Sequence, residues 1–315
     1  MLRGWLVVVA AVGACSDPVE PAPDAPPPVQ PSRLPAKLSR TGLYADFATK
    51  TLSDASIEFA PRYVLWSDAA IKRRWIQLPE GATIDTSSID HWTFPVGTKW
   101  FKEFSLDGKR LETRLIWRVA DTGDREKDTL FGAYVWDDTE SEATFEAGGY
   151  INIRGTQHDA PAADTCWKCH IGEPGRALGF SALQLADLSA LPLSDPPQGT
   201  PYAAPNDALG YLHANCGHCH NPSGSAWVNS AMVLRLDVAD RSIATSKPYL
   251  TTVGVALEQW LGHGYTNRIV PGDPDNSALL YRMTQRTQNI QMPPIATEVT
   301  DPTGIALVRA WIQSL

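Results

Sequence analysis

The chain has 315 residues, of which 43% are apolar and 20% charged, so it is long enough for a real core and for about two domains. Its 27 basic and 35 acidic residues leave a formal charge of −8, and no run of Lys or Arg marks a nucleic-acid surface. We therefore expect no nucleic-acid partner. An acidic surface also suits docking with a basic partner protein.

The N-terminus predicts export. Arg3 supplies one positive charge, and residues 6–14 form an apolar run that is too short to span a bilayer. Residues 12–15 (Val-Gly-Ala-Cys) resemble the lipobox of bacterial lipoproteins. We expect residues 1–15 to be a signal peptide, Cys15 to be lipidated, and the protein to be anchored in the cell envelope. The resemblance to lipoproteins implies the outer membrane as the location, since Ser16 after the lipidated Cys is compatible with outer-membrane sorting in many bacteria with two membranes. The alternative is an ordinary signal peptide.

Residues 16–39 are rich in Pro, Ala, Asp and Val and have three consecutive prolines at 26–28. Such a composition cannot bury a core and favours extended polyproline II geometry. We expect a disordered, semi-rigid tether between the membrane and the folded part.

Residues 40–155 predict an antiparallel β-rich domain. Apolar residues alternate along 109–119, and Asp107-Gly108 is a hairpin-turn signal between this strand and a preceding one at 99–106. Turn residues separate three further candidate strands, at 75–78, 131–136 and 150–153. The six tryptophans of this region predict core packing rather than a sugar-binding surface.

The cysteines indicate the chemistry. After Cys15, four remain, and they form two C-x-x-C-H motifs, at 166–170 and 216–220. This is the attachment signature of c-type haem: two thiols reach the two vinyl groups of one porphyrin, and the adjacent His becomes an axial ligand of the iron. The sequence therefore predicts two covalent haems c. The predicted attachment and iron-binding residues are Cys166, Cys169, His170, Cys216, Cys219 and His220.

Two alternatives use the same cysteines. Paired C-x-x-C motifs also bind zinc or form redox-active dithiols. Neither of these requires a His directly after the second Cys, and here it occurs twice. Haem attachment outside the cytoplasm also agrees with the predicted export.

The second motif lies in a predicted helical domain, residues 205–315. Asn206 and Asp301 are candidate caps of helices that run into Cys216 and to the chain end, and a shorter helix is predicted at 277–282. Between them, Met292 precedes two prolines that exclude helix. We predict Met292 as the second axial ligand of the iron on His220, with Met232 and Met283 as fallbacks.

Residues 205–315 resemble a cytochrome c domain in three segments: 211–222 around the second motif, 271–277 (Pro-Gly-Asp-Pro-Asp-Asn-Ser) and 291–294 (Gln-Met-Pro-Pro). The exported part also resembles poorly characterised bacterial two-haem cytochromes, in which a β-rich region with a segment like 94–99 (Phe-Pro-Val-Gly-Thr-Lys) precedes the first C-x-x-C-H and a stretch like 178–185 (Leu-Gly-Phe-Ser-Ala-Leu-Gln-Leu). The resemblance implies an α+β protein with an N-terminal antiparallel β-rich domain followed by a mainly α-helical cytochrome c domain. An insertion after His220, at 232–238 and 250–257, predicts a small sheet over the haem edge.

The first haem segment, residues 156–204, has no evident sixth ligand. His158 is the first candidate, as a loop histidine able to swing over the iron. His213, His263 and His91 are further candidates, and His218 has poor reach from within its own motif. A five-coordinate iron is the remaining option.

These predictions leave three functional hypotheses. If both irons have six ligands, the chain carries electrons between redox partner proteins of the periplasm. If one iron is open, the chain is a haem-dependent oxidoreductase such as a two-haem peroxidase. In the third hypothesis the β domain makes it a haem-bearing binding module. The sequence favours electron transfer and leaves catalysis undecided.

Overall fold

The first half of the chain folds into an antiparallel sheet. A computed structural model describes residues 33–197 and 202–315. In that part of the chain β1 and β2 form a two-stranded sheet, and the next six strands form a meander in which each strand pairs with its neighbour in sequence. The strands are β1 (Tyr44–Asp46), β2 (Thr51–Leu52), β3 (Ile57–Glu58), β4 (Ile71–Gln77), β5 (Lys99–Leu106), β6 (Lys109–Arg118), β7 (Thr129–Trp136) and β8 (Ala143–Phe145).

The hairpin between β5 and β6 confirms the turn prediction. Asp107 and Gly108 both have positive φ, 51° and 76°, as a two-residue turn between twisted strands requires. The strand predicted at 150–153 is wrong. Tyr150 makes only an isolated bridge with Ala160, and left-handed conformations at Asn152 and Arg154 turn the chain into a 3₁₀ turn instead.

The second half is helical, which confirms the α+β prediction. Asn206 and Asp301 cap their helices as expected, each accepting a backbone N–H three residues later. The helices are α1 (Arg125–Asp128), α2 (Cys166–His170), α3 (Asp207–Asn215), α4 (Lys247–Thr252), α5 (Ala278–Met283) and α6 (Pro302–Gln313), with 3₁₀ turns at Leu38–Arg40, Ile153–Gly155 and Ala163–Thr165.

Helices α3 and α6 pack closely against each other. Gly304 of α6 lies against the ring of Tyr211 of α3, where a Cβ would clash. The small sheet expected from the insertion after His220 is wrong: residues 232–237 have no regular structure, and 250–252 belong to α4. Pro248 at the start of α4 explains the second difference, because proline favours the first turn of a helix.

One hydrophobic core runs through both halves. Buried Trp92 and Trp100 from the β region belong to the same cluster as Leu212 of α3 and Trp311 of α6. Trp75 and Trp136 are also buried, as the core-packing interpretation of the tryptophans predicts. The β-rich region and the helical region are therefore held together by shared packing.

The folded part begins before residue 40, where the tether was predicted to end. Leu34 and Leu38 are buried against the sheet, in a cluster with Phe101 and Tyr134. The signal peptide, Cys15 and most of the predicted tether lie outside the described residues. Within the described ranges, no helix has the length and apolar character needed to cross a membrane.

Candidate functional site

The first C-x-x-C-H motif forms a single helical turn, α2, at the edge of a large cavity. Cys166, Cys169 and His170 all line this cavity, which we call cavity 1. It holds about 1060 Å³ of space not filled by protein atoms, part of it open to solvent. The spacing of the motif thus brings its three functional side chains to one space.

His170 is held with one ring nitrogen free. Its Nδ1–H donates to the backbone oxygen of Arg176 at 2.5 Å, so the lone pair of Nε2 remains available. Burial lowers the pKa of His170 to about 4, and the imidazole is therefore neutral at pH 7. A neutral imidazole with one nitrogen fixed by a carbonyl is the form that binds iron.

The walls of cavity 1 are mostly apolar. One side is a face of the sheet, and the other is built by segments before and after α3. The apolar and aromatic lining residues are Phe59, Leu65, Trp66, Trp100, Phe101, Leu115, Ile116, Phe131, Ala133, Pro161, Ala177, Leu178, Pro293, Ile295 and Ala296. A large apolar cavity with a few convergent polar groups is the usual form of a cofactor site.

Cationic side chains reach cavity 1 from the sheet. Arg74, Lys102 and Arg114 line it, and they lie on neighbouring strands. Arg114 pairs with Glu112, whose carboxylate is fully buried. Burial acts to raise the pKa of Glu112, but the charge of Arg114 and a hydrogen bond with His158 leave it below its usual value.

His158 does not lie where the sixth-ligand prediction needs it. It is 2% exposed, and its Nε2 lies 2.7 Å from Glu112 Oε1. Its ring packs on Phe104, and it is not among the residues that line cavity 1. The sequence suggested a solvated polar loop, because nothing in it indicated a buried carboxylate partner.

The second motif follows α3. Cys216 lies in a smaller cavity, cavity 2, of about 320 Å³ of unfilled space, and Met292 lines the same cavity. The predicted thiol and the predicted thioether ligand are thus brought together. Cys219 and His220 do not line it. His220 is 8% exposed, burial lowers its pKa to about 4, and its Nδ1 has no hydrogen-bond partner within the described residues.

The two motifs meet. The ligand atoms of Cys169, His218 and Cys219 all lie within 4.8 Å of one another. Cys219 Sγ and the hydroxyl of Ser225 also both donate to the backbone oxygen of Lys168, at 3.4 and 2.6 Å. The segments that carry the motifs are therefore in direct contact, although 46 residues separate Cys169 from Cys216 in the sequence.

The two facing thiols differ in acidity. The neighbouring Cys219 side chain and His218 hold the pKa of Cys169 well below its usual value, and the same contact raises the pKa of Cys219. Cys169 therefore has thiolate character in this arrangement.

His218 lies in a position that the sequence did not indicate. It lines cavity 1, is 8% exposed, and its Nδ1 has no hydrogen-bond partner among the described residues. Its position was not predictable, because it depends on the contact between two motifs far apart in sequence.

The other candidate histidines lie elsewhere. His213 Nδ1 accepts from the backbone N–H of Leu236, His263 stacks on Trp260, and His91 is exposed. None of these three lines either cavity.

Cavities 1 and 2 are neighbours. Trp66, Asn215 and Pro293 line both of them. Asn215, the last residue of α3, accepts from the backbone N–H of Trp66 at 2.7 Å, and the Trp66 indole N–H donates to the backbone oxygen of Val299. These bonds hold the partition between the cavities in place.

Comparison with protein-family models, with curated proteins and with solved structures finds no match to this chain. The functional assignment therefore depends on the motifs and on the geometry of the two cavities.

Proposed function

We propose that this chain is an exported c-type cytochrome that carries two covalent haems and transfers electrons between periplasmic partner proteins. One haem is attached at Cys166 and Cys169, and the other at Cys216 and Cys219. The observation that carries the proposal is cavity 1, in which a complete C-x-x-C-H motif faces a large apolar space with His170 Nε2 free.

The residues of cavity 1 fit a porphyrin. Both thiols line it, the imidazole of His170 is neutral and oriented by the Arg176 carbonyl, and aromatic and aliphatic side chains form the walls. When bound, haem supplies a one-electron iron couple whose potential is set by its axial ligands and its burial. His218 is the second imidazole in the lining and replaces His158 as our candidate for the sixth ligand.

The second motif has a donor set that suits a haem, although Cys219 and His220 do not line cavity 2. Cys216 and Met292 share cavity 2, and His220 is buried and neutral, with an unpaired ring nitrogen. A thioether ligand raises the reduction potential of a haem relative to a second imidazole. We expect His220 and Met292 to hold the haem of higher potential, which favours accepting electrons.

Electron transfer between the two sites is supported by the contact of Cys169 with Cys219, since each cysteine would bind one haem. Lys168 and Ser225 hold this contact by a hydrogen bond between the two segments. The chain's role here is to keep the two attachment loops together and to exclude water with the apolar walls.

A second candidate function is a structural metal site. Cys169, His218 and Cys219 could together bind one soft divalent ion such as zinc, because two thiolates and an imidazole are common zinc ligands. In that case the two motifs form one closed site, and no haem is attached.

The test is the metal and cofactor content of the full chain, exported in a host with haem-attachment machinery. We expect two iron atoms per chain, a c-type absorption spectrum and reversible reduction. One zinc per chain, lost in His218→Ala and accompanied by no haem absorption, would support the second candidate instead. Rapid turnover of added hydrogen peroxide would favour the peroxidase hypothesis over electron transfer.

A further inference from the structure

Three cations lie side by side on one face of the six-stranded sheet. Arg74 of β4 pairs directly with Lys102 of β5, and Lys102 pairs directly with Arg114 of β6. Directly paired residues project to the same face, and like charges placed opposite each other destabilise a sheet. We call these residues the cation row. The whole row lines cavity 1.

Two members of the row lack an anionic partner within the described part of the chain. Arg74 is 6% exposed, and its guanidinium makes one long hydrogen bond, 3.5 Å from Nη1 to the backbone oxygen of Lys72. The ammonium of Lys102 has no hydrogen bond or ion pair there, and it lies 4.8 Å from the centre of the Phe104 ring.

The third member of the row, Arg114, has an anionic partner in Glu112. Arg114 Nη2 lies 2.5 Å from Glu112 Oε1, and His158 bonds the same carboxylate oxygen. Glu112 is therefore the one anion paired with the row, and Arg74, which is buried, and Lys102, which is half-buried, have no counter-ion among the described residues beside an apolar cavity. Unpaired buried charge is among the most costly features that a folded protein can contain.

The pKa values of two members of the row, Arg74 and Lys102, are lowered from their usual range. Burial lowers the pKa of Arg74 to about 10, and burial together with Arg74 and Arg114 lowers the pKa of Lys102 well below its usual value. Lysine can relieve the repulsion by losing a proton, but arginine keeps its charge at all ordinary pH. A bound anion would relieve both residues.

We propose that the cation row is a carboxylate-binding site whose occupant is the pair of propionate carboxylates on the haem attached at Cys166 and Cys169. The inference rests on the proposed function, because the row and that motif line the same cavity. Two carboxylates match the two uncompensated charges. Guanidinium groups also bind carboxylates through two parallel hydrogen bonds, which gives the porphyrin one orientation.

The test uses the haem-loaded full chain and measures the potential of the first haem, identified as the couple that disappears in Cys169→Ala. In Arg74→Gln and in Lys102→Met this potential shifts to more negative values, because a cation near the iron stabilises the reduced form. Loss of the first haem with the second retained also supports the proposal. The matched control is Arg73→Gln: Arg73 is the next residue of β4, is half exposed and pairs with Glu58. We expect no shift there.

A titration with succinate separates propionate from a free anion. If propionates occupy the row, succinate leaves the potential of the wild-type protein unchanged. A saturable shift that is absent in Arg74→Gln would mean that the row binds free carboxylates and would overturn the assigned occupant. Equal potentials in wild type, Arg74→Gln and Lys102→Met would overturn the site itself. Absence of haem from the wild-type chain is a different result, since it contradicts the proposed function.

Discussion

His213 is a buried histidine that has to stay uncharged. Its Nδ1 accepts the N–H of Leu236, and burial, with smaller effects of Arg235 and His218, lowers its pKa to about 3. In the unfolded chain its pKa returns to about 6.5. Below pH 6.5 the unfolded state binds a proton at His213 and the folded state does not. The contribution of His213 to the free energy of unfolding is therefore complete above about pH 6.5 and falls as the pH drops towards 3.

We therefore predict that His213→Gln flattens the pH dependence of stability. Between pH 7 and pH 5 the wild-type chain should lose about 2 kcal/mol through this residue, and the variant should not. Chemical denaturation at both pH values measures the difference. His91→Gln, at an exposed histidine, should keep the wild-type slope, and a wild-type slope in His213→Gln would refute the account of this site.

Met292 and Met283 offer a matched pair, since both line cavity 2. A volume-conserving change at either should cost less than ~1.5 kcal/mol, so both variants should fold. We predict that Met292→Leu lowers the potential of the second haem and alters its spectrum, because the thioether ligand is lost. Met283→Leu should leave both unchanged. The reverse pattern would transfer the ligand role to Met283.

At the residue scale, the sequence indicates the clustering of the first motif better than the rest of the cavity lining. The spacing of Cys166, Cys169 and His170 is local, so one helical turn is enough to bring them together. Charged residues on a strand usually lie in solvent, so the sequence does not indicate that Lys102 and Arg114 line a cavity. Their partial burial follows from the helical region covering that face, a long-range contact that no local pattern shows.

At the element scale, the close approach of α3 and α6 depends on Gly304. An alanine there gains up to ~1 kcal/mol of helix propensity, but its Cβ would clash with the Tyr211 ring, and overpacking costs ~1–3 kcal/mol. We predict that Gly304→Ala lowers the free energy of unfolding. Thr303→Ala, at the exposed neighbouring position, should change it by less than ~0.5 kcal/mol. Equal stability of the two variants would show that the helices do not pack in this way.

The elements with strong local signals were predicted well. The hairpin turn at Asp107-Gly108 and the caps at Asn206 and Asp301 occur where the sequence places them. The alternation along 109–119 would place Leu111 on the face of Leu115, but the pairing of β5 with β6 shifts after Phe104, and Leu111 packs with Ala133 instead. Strict alternation predicts a face only while the register is unbroken.

At the scale of the whole molecule, Arg235 joins separate parts of the chain. This buried guanidinium forms an ion pair with the half-buried Glu173, 2.6 Å long, and also donates to the backbone oxygens of Gly172 and Asp90. Asp90 belongs to the β-rich region, and Gly172 follows the first motif. The shared core and this ion pair explain why the predicted domain boundaries do not separate independent cores.

Glu173→Gln should therefore destabilise the fold strongly. It leaves the Arg235 charge buried without a counter-ion, which costs on the order of 3 kcal/mol. Asp275→Asn removes the exposed pair with Arg309 and should cost less than ~1 kcal/mol. Thermal or chemical denaturation compares the two. A small effect of Glu173→Gln would mean that the contact between the motif segments does not depend on this pair.

The central claim is that each motif attaches its own haem, and the number of covalent haems per chain tests it most directly. Intact mass and haem absorption of the exported protein give that number for wild type, Cys169→Ala and Cys219→Ala. We predict two haems in wild type and a single complete attachment in each variant, at the untouched motif. No haem in wild type, or the same haem content in wild type and both variants, would contradict the account.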